Sequence, residues 1–245
     1  PGLSAQAPAA AQPPAPARPV ALADDPTLES NEPSLDRREP VRATAAPIPF
    51  VSAWLGVGQL WLPSDGLDPF SEDDALTSFN AGAALSLASV GVLDLAGVIG
   101  VDATSSDARY RGEATALSLT RLTLGPELRG SLLDRLYWHG RLGPTVTRLS
   151  AELDESSSRA TLDTTRWVWG AEAAAGLELR FVEAPTSLPS ALGVFVRLDA
   201  GYAWSPSSTL ELEAGSGAPV RTEPLDIGEL SLAGPFLRAN LGVGL

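Results

Sequence analysis

The sequence predicts an all-β protein, an eight-stranded antiparallel up-and-down transmembrane β-barrel that follows a disordered N-terminal tail. From Phe50 onward, apolar residues alternate with small or polar residues at a period of two, which is typical of strands with two different faces. Eight such segments can be placed. No uninterrupted apolar run reaches the length of about 20 residues that a transmembrane helix needs.

The chain divides into a tail, residues 1–49, and a barrel, residues 50–245. The tail is rich in proline and alanine and contains no aromatic residue. Such a segment cannot bury enough apolar surface to offset the entropy lost on ordering, so we expect disorder with some polyproline II character. It is either a plain spacer or a periplasmic tether that reaches a partner.

The composition excludes several classes of function. The chain has no cysteine, so it can form neither disulfides nor thiolate metal sites. Its formal net charge of -13 argues against nucleic acid as a partner, because phosphate binding needs a basic surface.

Four segments alternate most clearly. In the segment 165–181, Trp167, Trp169 and Leu177 share one face, while Glu172 and Glu178 lie on the other. A helix would distribute such charges around its circumference, whereas a strand separates them. The four segments are 79–88, 165–181, 192–204 and 231–245.

Four further strands complete the set of eight. The segment 114–124 alternates poorly from Leu117 to Arg121, which predicts a bulge or a shifted register there. A tight turn at Ser89-Val90-Gly91 would join 79–88 to the next strand. The further strands are 51–62, 93–104, 114–124 and 136–149.

The polar faces of these strands predict which side is the interior. They carry small residues and charges of both signs, and charges confined in a narrow lumen must be paired. We therefore expect the apolar faces to point outward to lipid and the polar faces to form a charge network in the lumen. Its predicted members are Asp94, Asp102, Arg141, Arg166, Glu172, Glu178, Arg180, Arg197, Asp199 and Arg238.

Aromatic residues on the apolar faces lie near the strand ends, as in the aromatic girdles of membrane barrels. We expect one group at each membrane interface. The larger predicted group is Trp61, Phe79, Trp167, Trp169, Tyr202 and Trp204, and the smaller is Trp138 and Phe181.

The predicted connections differ between the two ends of the barrel. Long loops (63–78, 105–112, 152–164 and 205–230) lie at one end, and shorter connections (89–92, 125–135 and 182–190) at the other. Long outer loops and short periplasmic turns are typical of membrane barrels. The long loops contain 15 acidic residues and 4 arginines, so most of the negative charge lies there.

These features, together with the closing segment 234–245, resemble the small outer-membrane barrels of the OmpA/OmpX/OmpW type. In that class the last strand ends in alternating hydrophobic residues and a terminal aromatic. Leu241, Val243 and Leu245 keep the spacing, but the last residue is leucine. The resemblance implies a Gram-negative outer-membrane location with the tail in the periplasm. It also implies lipid and lipopolysaccharide as surroundings, and the barrel-assembly machinery as a partner during biogenesis.

His139 is the one histidine of the chain, and Ser150 and Glu152 follow it in sequence. Some outer-membrane barrels are hydrolases or acyltransferases that use a histidine with a serine and a carboxylate. The alternation places His139 on the polar face instead, so we interpret it as a hydrogen-bonded lumen residue. We expect no catalytic residues, no metal site and no cofactor.

The sequence therefore predicts a non-enzymatic cell-envelope protein with a structural or surface-interaction role and a lumen plugged by Arg–carboxylate pairs. One alternative is a narrow, porin-like pore for small solutes or ions, in which the same charges line a water path. The second is a soluble barrel with reversed faces that binds a small apolar ligand.

Overall fold

The computed structural model describes residue 48 and residues 50–63, 67–71, 74–110, 112–155, 160–182, 192–214 and 225–245. The predicted tail therefore lies outside the described residues, apart from Ile48. The strands are β1 (Val51–Trp61), β2 (Ala75–Val90), β3 (Leu93–Tyr110), β4 (Glu113–Ser131), β5 (Leu136–Glu155), β6 (Ala160–Val182), β7 (Gly193–Trp204), β8 (Ser208–Ala214), β9 (Leu225–Leu230) and β10 (Gly234–Gly244).

Eight of these strands form a closed antiparallel ring. Neighbours in sequence pair from β1 to β7, and β10 closes the ring by pairing with both β7 and β1. Val51 and Leu245 exchange backbone hydrogen bonds in both directions, so the first and last strands meet at one end. The predicted eight-stranded up-and-down barrel is confirmed. We call the end with Val51 and Leu245 the lower end and the opposite one the upper end.

Two connections are tight turns that need glycine. Gly91, between β2 and β3, has a φ of 63°, and Gly112, between β3 and β4, has a φ of 94°. Residues with a Cβ rarely adopt this left-handed conformation, whereas glycine does so without strain. The first turn follows the predicted position at 89–91 by one residue.

On β4, β5 and β6 the hydrophobic face changes sides near the upper end. On β5, Leu142 points outward and His139 inward, but above Arg148 the inward residue Leu149 is buried and the outward Glu152 is exposed. On β4, Leu122 and Leu124 point outward. Above them the outward Ser118 and Thr120 are exposed, and the inward Leu117 and Leu119 are buried. We call the level of this change the polarity inversion.

The polarity inversion explains why the bulge or shifted register predicted at Leu117 to Arg121 is wrong. The pairing of β3 with β4 runs without a shift from Tyr110–Glu113 to Leu93–Gly130, so there is no bulge at this point. Leu117, Leu119 and Arg121 all point inward, and it is their surroundings that change from apolar to polar. The sequence pattern inverts although the strand geometry is regular.

Several predicted loops are strands instead. At the upper end, most of 105–112 and parts of 63–78, 152–164 and 205–230 belong to β2, β3, β5, β6, β8 and β9. At the lower end, 125–131 belongs to β4, and the connection to β5 is only 132–135. At the upper end the predicted strands stop too early because the hydrophobic pattern reverses at the inversion. The part of β3–β6 above the inversion, with the β8–β9 hairpin, is called the upper extension.

The upper extension encloses an apolar core of its own. Leu119 of β4 and Leu149 of β5 pack there with Leu210 and Leu212 of β8 and with Phe70 from the segment 67–71. Hydroxyl groups fix that segment: Thr115 donates to the carbonyl of Pro69 at 2.6 Å, and Ser106 to that of Phe70 at 2.8 Å. Hydrophobic side chains therefore fill the upper end of the barrel. Within the described residues, no helix is long and apolar enough to cross a membrane.

Candidate functional site: the charged interior

The most buried charges form a cluster around Arg197 on β7. Its guanidinium donates to both carboxylate oxygens of Glu127 on β4 and to Asp199 on β7, and all three side chains have 0% exposure. His139 lies 2.8 Å from Asp199 through Nε2, and Asn240 donates to the other carboxylate oxygen at 2.9 Å. We call these five residues the central cluster. Bidentate Arg–carboxylate bonds of this kind are among the strongest in proteins.

An aromatic residue adjoins the central cluster. The Cζ atom of Arg197 lies 4.6 Å from the ring centroid of Trp54, which points inward from β1 and is 6% exposed. A guanidinium at this distance from an indole face is attracted by the ring quadrupole. The role of Trp54 was not predicted, although Trp54 shares the inward face of β1 with the small residues Ser52, Gly56 and Gly58.

A second set of ion pairs lies nearer the upper end. Arg238 on β10 donates to both oxygens of Glu172 at 3.0 and 3.1 Å and to Asp102 on β3 at 2.7 Å. Arg141 on β5 lies 3.0 Å from Glu172. We call these four residues the upper cluster. The ring of Phe236, 3.9 Å from the Arg238 Cζ, adjoins it.

Smaller groups lie elsewhere in the interior. Arg129 of β4 donates to Glu127 at 2.7 Å, and Arg180 of β6 donates to Glu178 at 2.9 Å. Asp94 accepts hydrogen bonds from the hydroxyls of Ser86 and Ser89. Arg121, buried beneath the apolar core, donates to a hydroxyl and a carbonyl.

The structure places nine of the ten predicted lumen charges inside the barrel. The exception is Arg166, which is 41% exposed and donates at 2.7 Å to the Thr209 carbonyl in the upper extension. Its assignment to the lumen network is wrong because it lies above the inversion.

Three interior charges were missed: Arg121, Glu127 and Arg129. The first fell in the region of the predicted bulge, and the other two in a predicted loop. The alternation of Glu127 and Arg129 with Leu128 could have revealed them. With these included, the described interior holds six carboxylates and six arginines, so the formal charges balance.

His139 is poorly placed for a hydrolytic triad. It points into the barrel and is 2% exposed, whereas Ser150 lies eleven residues further along the same strand. At about 3.3 Å per residue this separates them by roughly 36 Å, and Ser150 pairs with Thr165 instead. Among the described residues, no group of three His, Cys, Asp or Glu is arranged to hold a metal ion.

The aromatic residues assigned to the girdles all point outward. Tyr202 and Trp204 form a tilted pair with ring centroids 5.1 Å apart. Trp61 and Trp138 are half-buried. The other side chains are exposed: Phe79, Trp167, Trp169, Phe181, Tyr202 and Trp204.

Glycines make room for the interior side chains. A Cβ at Gly176 of β6 would lie 2.1 Å from the Leu198 carbonyl oxygen and 2.5 Å from His139 Nε2. A Cβ at Gly242 of β10 would lie 2.2 Å from the Phe195 ring. The small residues of the polar face therefore allow the large charged and aromatic ones to fit beside them.

The chain is similar in fold to two solved structures of Ail, the attachment invasion locus protein of Yersinia pestis. One, in complex with the heparin analogue sucrose octasulfate, is 13% identical over 79% of this chain and 95% of the other, with a TM-score of 0.41. The second is 13% identical over 80% of this chain and 98% of the other, with a TM-score of 0.42. No protein-family model and no curated protein sequence matches the chain.

Proposed function

We propose that the chain is an integral outer-membrane β-barrel whose interior is sealed and whose upper extension serves a structural or surface-interaction role outside the cell. The polarity inversion carries this proposal. Below it, leucines, valines and aromatics are exposed on the outside while arginines and carboxylates are buried inside. Such a distribution is stable where the surroundings are lipid and costly where they are water.

The contents of the barrel support a plug rather than a pore. Oppositely charged residues are bonded to one another across the interior, and the apolar core fills the upper end. Charges that line a water path would be hydrated instead of paired. The structure supports no catalytic role for His139, and we propose none.

The upper extension is the part that would meet partners. Most of its described residues belong to paired strands, so the outward residues of these strands have fixed positions. Those residues include Asp107, Glu152, Asp154 and Asp163, which are exposed. A basic or neutral partner surface suits this face better than a polyanion does, because like charges repel. The lower end would lie in the periplasm, where we also place the tail.

Cysteine labelling tests this orientation, because the chain has no cysteine of its own. We expect Ser150→Cys, in the upper extension, to react with a membrane-impermeant maleimide on intact cells. Asp134→Cys, exposed in the lower 132–135 turn, should react only after the outer membrane is broken. The reverse pattern would overturn the orientation, and labelling of a soluble fraction would overturn the membrane location.

Planar bilayers distinguish the plug from the pore. We expect the purified, folded full-length protein to insert without conductance steps, because paired side chains fill the interior. Heat-modifiability on a gel would verify that the inserted sample is folded. Regular steps from a folded sample would support the narrow pore instead.

A further inference from the structure

Half of the buried polar side-chain atoms without a hydrogen-bond partner lie around a single small cavity. Ten such atoms occur in the described part of the chain. Five of them belong to four residues that line one cavity in the upper cluster: Asn80 Nδ2 and Oδ1, Asp102 Oδ1, Thr123 Oγ1 and Arg141 Nε. Buried polar groups in folded proteins are nearly always hydrogen-bonded, so this concentration indicates a shared partner.

The residues reach this place from four adjacent strands. Asn80 of β2 is the cross-strand partner of Asp102 on β3, while Thr123 and Arg141 come from β4 and β5. Asp102 and Arg141 each use their other polar atoms in the upper cluster, with Arg238 and with Glu172. The ring of Trp54 also lines the cavity. Ion pairing thus fixes Asp102 and Arg141 in place and leaves Asp102 Oδ1 and Arg141 Nε at the cavity without a hydrogen-bond partner.

The size of the cavity suits a water molecule. The space open to the centre of a water molecule is about 10 Å³, close to the ~10–15 Å³ that one buried water requires. A neighbouring cavity of about 20 Å³, also lined by Asp102 and Arg238, adjoins the apolar core above.

The donor and acceptor set decides the chemistry of the ligand. Arg141 Nε and Asn80 Nδ2 can only donate, Asp102 Oδ1 and Asn80 Oδ1 accept, and the Thr123 hydroxyl does either. A metal cation would face the guanidinium, and a halide would face the carboxylate. Water both donates and accepts, and buried waters typically make about three hydrogen bonds.

We propose that Asn80, Asp102, Thr123 and Arg141 form a binding site for an internal water molecule that joins β2, β3, β4 and β5 at the upper cluster. The water supplies hydrogen bonds to the polar atoms of the upper cluster and its neighbours that have no side-chain partner. This site goes beyond the proposed function, since a soluble barrel with the same interior would hold the same water.

Asparagine side-chain NMR tests the site. The chain has three asparagines, Asn31, Asn80 and Asn240, so ¹⁵N-asparagine labelling of the full chain in deuterated micelles gives few side-chain signals. We expect rotating-frame cross-relaxation between water and the Asn80 amide protons, with the sign of a direct contact and not of exchange. The Asn240 amide, which donates to Asp199, is the internal comparison and should show a weaker effect.

Thr123→Val is the control for exchange relayed through the hydroxyl. It removes Oγ1 and leaves four polar atoms at the cavity, so we expect the Asn80 signal to persist. Heat-modifiability would verify that the variant is folded. No water contact at Asn80 in the folded wild-type protein, or its disappearance in folded Thr123→Val, would overturn the proposal.

Discussion

Arg197→Met should lower the free energy of unfolding by about 3–5 kcal/mol, because it leaves the carboxylates of Glu127 and Asp199 buried without their main partner. Arg197 has no exposed side-chain surface and bonds to both residues. Methionine is shorter than arginine but fills part of its volume, so we expect the lost ion pairs to contribute more than the lost packing. Urea unfolding in detergent micelles, followed by tryptophan fluorescence, measures it.

Two variants make this measurement specific. Arg109→Met removes an exposed arginine of the upper extension and should change stability little. Adding Asp199→Asn to Arg197→Met should restore part of the loss, because Asp199 loses its arginine partner in Arg197→Met whereas Glu127 keeps Arg129 at 2.7 Å. Equal stability of wild type and Arg197→Met would contradict the view that the central cluster holds the barrel together.

Leu142→Arg should destabilise the protein by about 2–4 kcal/mol when it is folded in a bilayer, the cost of an arginine on the lipid face near the membrane midplane. Leu142 is 60% exposed on β5 and lies midway between Trp138 and Val146, which face outward at the two limits of the apolar band. Unfolding from lipid vesicles, rather than from micelles, is the relevant assay.

Ser150→Arg is the matched control, since Ser150 lies on the same strand and the same outward face but above the inversion. We expect little change there, because that part of β5 would lie in water. A soluble barrel gives a different result: an exposed Leu142 in water would accept arginine as readily as Ser150 does. Similar effects at both positions would thus favour the soluble alternative.

The sequence predicted the architecture because one physical rule governs most of the barrel. Below the inversion each strand has one apolar and one polar side, and Leu177 beside Glu178 or Leu198 beside Arg197 is enough to show which is which. The strand order then follows from the up-and-down connections, and the even number of strands brings the start of β1 and the end of β10 to the same end.

The rule failed where the surroundings of the strand change. At Leu117 and Leu119 the apolar residues become the inward ones, and a period-two pattern cannot distinguish this from a slipped register. The predicted connection 125–135 contains Pro126, which cannot donate to a strand ladder. Pro126 lies within β4 where the pairing with β5 is interrupted, from Leu124 to Pro126. The β8–β9 hairpin lies within 205–230, which was predicted as one long loop, and its attachment to β6 joins segments that are distant in sequence.

The central cluster could be predicted only in part. Arg197 and Asp199 are two residues apart on one face, so their proximity follows from the strand alone. The bond from Arg197 to Glu127 crosses the interior between residues 70 positions apart, and no local pattern pairs these two. The role of Trp54 could not be predicted for the same reason, because it depends on Arg197, which reaches Trp54 from a distant part of the sequence.

The Arg238–Asp102 ion pair joins residues 136 positions apart, on strands that meet only across the closed ring. A sheet that has not closed would therefore lack this ion pair, and without β7 the central cluster would lack both Arg197 and Asp199. The missing ion pairs thus raise the free energy of every partly closed intermediate. This favours all-or-none assembly over stepwise growth. The interior ion pairs therefore stabilise the barrel only when they form together, once the last strand has paired.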